Sequence, residues 1–298
     1  MVKRLPFTII AVSILFYILF AVLSKATSLD AEKITLAYIP LLFLLTSTGY
    51  LIRLARWLYF LRITGTGVDM KRNVLIFFAG LVASITPAKA GEIVKSGFLA
   101  KWHPVAKTAP LVVAERGGDV VGLITLCLIS SVSVLKNGAF LLILLIFLLF
   151  LFLLRIRATY AFISKRLPSR FSQYVTHIQS SFLSLFSFEG LVVTLLSSTC
   201  CWFFECLTLY FTVTMLGASL HLLDAIFIFS FSTLLGAASL LPGGLGVSEA
   251  SIFVLLTRMG IPSPEATSAS LISRIATLWF GVFLGGCALL LYARIDKG

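Results

Sequence analysis

The stretch Leu241-Pro242-Gly243-Gly244-Leu245-Gly246-Val247-Ser248-Glu249 decides how this chain is read. One proline and three glycines stand between strongly apolar flanks. Proline removes a backbone donor and glycine removes side-chain packing, so a helix entering here breaks. In hydrocarbon, a break survives only where its freed backbone groups face protein or a water-filled cavity. Broken helices of this kind build substrate sites in transporters. The stretch is therefore the first candidate for function.

The rest of the chain supports a membrane setting. Its 298 residues are 59% hydrophobic and 12% charged, about half the charge of an ordinary soluble domain. The predicted class is an all-α polytopic membrane protein, with residues 1–298 forming a single integral membrane domain. The net charge of +12 then reports cytoplasmic loops and contact with anionic headgroups, and no nucleic-acid partner is expected. Cys127, Cys200, Cys201, Cys206 and Cys287 lie in apolar segments without metal-like spacing, and His103, His177 and His221 are scattered, so no metal or cofactor is expected. The apolar run Leu5 to Leu23 is long enough to span and has no clear cleavage site. There is no soluble stretch long enough for a catalytic domain, so an enzyme is not expected.

About six full spans are predicted, near 6–24, 35–60, 109–134, 138–154, 190–216 and 267–292. Two further apolar segments, Asn73 to Ile85 and Asp224 to Pro242, are too short to cross a ~30 Å core comfortably at 1.5 Å per residue. Each meets a Pro/Gly break and is followed by another short helix, to about Ala100 and from Val247 to about Leu256. Both are expected to be re-entrant hairpins. Residues 155–187 read as a basic amphipathic loop on the cytoplasmic side.

The two breaks superpose at an offset of 155 residues: Asp69 on Asp224, Ala83-Ser84 on Ala238-Ser239, Pro87 on Pro242, Gly91 on Gly246. The repeats run about 35–135 and 189–293. Counting crossings puts the breaks on opposite sides, so the repeats are inverted. The count places Lys3, Arg4, Arg62, Lys71, Arg72, Lys101, Lys107, Arg155, Arg157, Lys165, Arg166, Arg170, Arg294 and Lys297 on one side, and only Lys25, Lys33, Lys136 and Arg258 on the other. That bias makes both termini cytoplasmic.

Six cations remain at membrane depth (Arg53, Arg56, Lys89, Lys95, Arg116 and Arg274) with five acids (Glu92, Glu115, Asp119, Glu205 and Glu249). Each costs on the order of 2.5–3.5 kcal/mol on insertion scales, so such groups face a cavity or one another. Basic groups suit a phosphate; carboxylates suit an amine or neutralise the arginines. Arg53 and Arg56 share a helix face and are either ligands or interfacial anchors that snorkel outward. Glu115, Arg116 and Asp119 allow an intrahelical ion pair. Lys89, Glu92 and Lys95 follow a break, where half-helix ends concentrate unpaired donors. Glu249 is either a helix cap or a ligand, and Arg274 pairs across helices or binds substrate. With Pro242, Gly243, Gly244 and Gly246, these residues form the candidate binding site.

In order, R-x-x-R-W (Arg53, Arg56, Trp57), P-x-K-x-G-E-x-x-K (Pro87 to Lys95), E-R-x-x-D (Glu115, Arg116, Asp119) and P-G-G-L-G-x-x-E (Pro242 to Glu249) resemble the lysylphosphatidylglycerol synthase transmembrane family. This flippase-like family includes the membrane halves of bacterial multiple peptide resistance factors. The resemblance implies phospholipid translocation between leaflets of the cytoplasmic membrane. Bifunctional members carry an aminoacyl-transferase domain after the membrane region; this sequence ends at Gly298, so lipid synthesis is not expected of it. The expected function is a multi-pass flippase or transporter in the cell membrane, acting on an anionic or zwitterionic phospholipid or an isoprenoid-linked lipid. The alternatives are an integral membrane transferase using a lipid-linked substrate, or a non-transporting partner subunit. A homo-oligomer or a separate lipid-modifying enzyme is the expected protein partner.

Overall fold

The computed structural model describes residues 36–134, 181, 184–185 and 187–295, and every regular element among them is helical. The expected spans at 6–24 and 138–154 and most of the loop at 155–187 lie outside the described residues.

Helix α1 (Tyr38–Thr64) ends where Gly65 turns left-handed at φ 59°, a conformation glycine adopts without steric cost. Helix α2 (Met70–Gly80) starts where Asp69 accepts the Arg72 N–H at 3.0 Å, satisfying one of the orphan donors of a helix start. The expected helix over Asn73 to Ile85 is α-helical only to Gly80. Leu81–Ile85 tightens into a 3₁₀ turn, Thr86 is extended, and Pro87–Ile93 forms a second 3₁₀ segment before the short α3 (Val94–Leu99). Helix α4 (Val105–Val134) carries Pro110 in its interior.

Helix α5 (Phe188–Met215) is capped by Ser187, whose hydroxyl accepts the Gly190 N–H at 3.1 Å. Helix α6 (Leu222–Ala238) meets the second break, a 3₁₀ turn at Pro242–Gly244, and α7 (Val247–Arg258) follows. The chain closes with α8 (Ser263–Arg274), a π-helical turn at Ile275–Trp279 and α9 (Phe280–Ile295).

Among the described residues, three helical runs are long and apolar enough to cross a membrane: Tyr38–Thr64, Phe188–Met215 and the continuous Ser263–Ile295. Helix α4 matches them in length but carries Lys107, Glu115, Arg116 and Asp119. The chain is an α-helical membrane protein. Its packing positions the site: α1 lies along α5, α4 is held between α5 and α6, and α9 packs on α2 and the Leu81–Ile85 turn. The two breaks meet, with Pro87–Ile93 against Pro242–Gly244.

Candidate functional site

The site is built from three helix faces and two breaks. On α5, Ser198, Trp202 and Glu205 recur at i, i+4, i+7 and so share a face. Helix α4 comes close to that face because Gly118 and Gly122 have no side chains. A Cβ on Gly122 would lie 2.7 Å from the Ser198 carbonyl carbon, and one on Gly118 would lie 2.9 Å from the Ser198 hydroxyl. Small residues four apart let membrane helices approach backbone to backbone. Helix α1, packed along α5, brings Arg53 and Arg56 into the same layer.

Packing at this distance pairs the charges. Arg53 Nη2 lies 2.7 Å from Glu205 Oε1. Arg56 Nη2 donates to Asp119 at 2.8 Å, and Arg56 Nη1 donates to Ser198. Arg116 bridges Asp119 at 3.0 Å and Glu92 at 3.1 Å. Lys95 lies 3.2 Å from Glu92 and also donates to Glu115. Its ammonium sits 4.8 Å from the Trp57 ring and 5.4 Å from the Phe77 ring, where aromatic faces favour a cation. Ser84 donates to Glu92 at 2.9 Å. One continuous ionic chain therefore runs Glu115, Lys95, Glu92, Arg116, Asp119, Arg56.

Arg53 and Arg56 are 3% and 1% exposed. They are ion-paired between helices and do not snorkel to an interface. The intrahelical pair open to the Glu115-Arg116-Asp119 motif forms between Arg116 and Asp119, while Glu115 turns to Lys95.

At the second break Glu249 caps its helix, and Arg274 pairs with it across helices. One carboxylate oxygen accepts the Gly246 N–H at 2.7 Å, capping α7, and the other accepts Arg274 Nε at 2.8 Å. Arg274 also donates through Nη2 to the Gly243 carbonyl. Gly243 sits at φ 61°, a left-handed conformation that a side chain would strain by roughly 1–2 kcal/mol.

Between the breaks lies a cavity of about 130 Å³, room for several waters or the polar part of a headgroup. Of the expected site residues, Arg53, Lys89, Arg116, Asp119, Glu205, Gly243, Gly244 and Arg274 line it. Arg56, Glu92, Lys95 and Glu115 are not in its wall and are held in the ionic chain. Pro242 and Gly246 are exposed, and Glu249 reaches the cavity only through Arg274.

Lys89 stands apart. It holds φ 56°, unusual for a side chain-bearing residue, and strain of this kind concentrates at functional positions. Its ammonium lies 4.9 Å from the Trp202 ring, and among the described residues no carboxylate comes within ion-pair distance of it. The Arg53 guanidinium sits over the same ring at 4.4 Å.

Tyr50, Ser84, Trp202 and Ser248 also line or support the cavity, and the charge inventory does not point to them. Tyr50 donates to the Thr277 carbonyl at 2.8 Å, tying α1 to the π turn. Trp202 stands three residues before Glu205, a spacing that puts both on one helix face and is the signal for it. Tyr50 and Ser248 carry no comparable signal.

The chain is similar in sequence to several UPF0104 membrane proteins. A UPF0104 membrane protein of Pyrococcus horikoshii is 24% identical over 324 aligned positions that cover 97% of each chain. One from Methanocaldococcus jannaschii is 28% identical over 219, covering 69% of this chain and 91% of the relative. A third, from Methanothermobacter thermautotrophicus, is 35% identical over 99 residues, where the match spans 33% of this chain and 30% of the relative. The family profile described as "Lysylphosphatidylglycerol synthase TM region" matches residues 7–285. With its charged motifs gathered around two broken helices, this chain belongs to the lysylphosphatidylglycerol synthase transmembrane region family.

Proposed function

We propose that the protein is a lipid flippase or transporter of the cell membrane, moving a phospholipid or related lipid headgroup through the cavity between the two breaks. The observation that carries this reading is a cavity whose largely apolar wall includes Arg53, Lys89, Arg116 and Arg274, set among helices long and apolar enough to cross a membrane. Charges at this depth are costly and are kept where they serve a pathway or pair with one another. Among the described residues, five of these six cations are ion-paired, and the sixth, Lys89, lines the cavity. The headgroup occupies the cavity while the acyl chains stay in lipid, and the cationic wall takes the phosphate. The family's printed description, a lysylphosphatidylglycerol synthase membrane region, fits a lipid as cargo.

The same reading includes the finer architecture: six full spans, two re-entrant hairpins, inverted repeats over 35–135 and 189–293, and both termini in the cytoplasm. No chemical step is assigned to Glu115 or Asp119, since each holds a cation in the ionic chain.

The test is translocation by the purified chain in proteoliposomes, with NBD-labelled phosphatidylglycerol and dithionite quenching of the outer leaflet. Arg274→Ala removes both the cavity-lining cation and its hold on the Gly243 carbonyl. Its translocation rate should fall at least ten-fold while the protein stays folded in detergent. A wild-type rate from folded Arg274→Ala protein overturns this site.

A further inference from the structure

The pairing pattern constrains the charge of the cargo. Glu205 is held by Arg53, Asp119 by Arg56 and Arg116, Glu92 by Lys95 and Arg116, Glu115 by Lys95, and Glu249 by Arg274. Every carboxylate in this layer therefore already touches a cation. Among the described residues, six cations in this layer face five carboxylates, and the one without an ion pair is Lys89, which lines the cavity and rests on the Trp202 ring. An incoming phosphate meets a lysine that has only an aromatic face to give up. Among the described residues, an incoming ammonium meets at the cavity wall only Asp119 and Glu205, each already held by an arginine, so it must share or displace that partner in a buried ion pair.

We propose that the cavity selects headgroups of net negative charge, a phosphodiester without a compensating amine, with Lys89 as the residue that takes the phosphate and sets this preference. The inference rests on reading the cavity as a lipid headgroup site. It narrows the cargo within that reading: an anionic phospholipid is accepted, and zwitterionic or aminoacylated ones are disfavoured. Trp202 holds the Lys89 ammonium in place until the phosphate arrives.

Two measurements separate this inference from the translocation reading. The first is retention. The full chain is purified in micelles holding equal amounts of phosphatidylglycerol and phosphatidylcholine, and bound lipid is counted by native mass spectrometry. Wild type should retain phosphatidylglycerol about ten-fold or more over phosphatidylcholine, the range set by one charge-assisted contact. Lys89→Gln should bring the ratio near one, and Lys89→Arg should restore it. Both variants bear the same left-handed backbone penalty as lysine, and thermal melts check that they fold. Equal retention by wild type, or a preference unchanged in Lys89→Gln, overturns the inference.

The second is translocation of the NBD-labelled forms of both lipids in proteoliposomes. Lys89-dependent retention with neither lipid moving supports the selective site and overturns transport. Both lipids moving at one rate, with no retention preference, overturns the selectivity and leaves transport standing. No retention and no movement overturns both.

Discussion

Glu205 shows how strongly a single residue depends on its partner. Its carboxylate, 4% exposed, is matched by Arg53 across the α1–α5 contact, and the arginine is further held over Trp202. Removing one member of a buried pair leaves an uncompensated charge and costs about 3–5 kcal/mol, whereas replacing both by apolar residues of similar volume is often neutral. Arg53→Met should therefore destabilise the protein by about that amount, and Arg53→Met with Glu205→Met should recover most of it. Reversible unfolding in mixed detergent micelles, run as a double-mutant cycle, measures the coupling. Additive losses would show that the pair does not stabilise the fold. Glu249 follows a different logic: it accepts the Gly246 N–H as a cap and also pairs with Arg274, so one carboxylate serves the helix start and the cross-helix pair together.

Among the elements, the α4–α5 contact sets the geometry of the site. Gly118 and Gly122 bring α4 close enough to α5 for Arg56, held on α1, to reach Asp119 on one helix and Ser198 on the other. Gly122→Val would drive a side chain into the Ser198 backbone, and overpacking of this kind costs about 1–3 kcal/mol. The expected outcome is a lowered melting temperature together with weaker lipid retention, because the ionic layer is pushed apart. An unchanged melt would mean that α4 can slide along α5 without loss. Both breaks fall where the sequence puts proline and glycine, and 3₁₀ turns form there, at Pro87–Ile93 and Pro242–Gly244. The sequence places the first break at Thr86, but it does not show that α-helix ceases at Gly80. The tightened stretch packs closely on α9, where a Cβ at Gly285 would lie 2.6 Å from the Val82 nitrogen.

At the scale of the whole molecule, the two breaks lie against each other. This placement is what an inverted repeat needs if one cavity is to serve both sides. The proposed topology puts Lys101 and Arg294 in the cytoplasm and Arg258 outside. Single cysteines at these positions, in a chain whose five native cysteines are replaced, should react with a membrane-impermeant maleimide accordingly. In intact cells position 258 should label, and positions 101 and 294 should label only after permeabilisation. Labelling of 101 and 258 from the same side would overturn the inversion.

The sequence alone determined the membrane class, the two breaks and the list of charged residues at membrane depth. These follow from local causes: apolar run length, the missing proline donor, the missing glycine side chain and the cost of a charge in hydrocarbon. Only the tertiary structure decided how those charges are distributed. Arg56 and Ser198 are 142 residues apart, and no spacing rule joins them. Nor could spacing tell that Glu115 would choose Lys95 over its neighbour Arg116. Ion pairing acts over a few ångströms, so packing settles which cation keeps no carboxylate. Packing leaves Lys89 in that position, at the wall of the cavity.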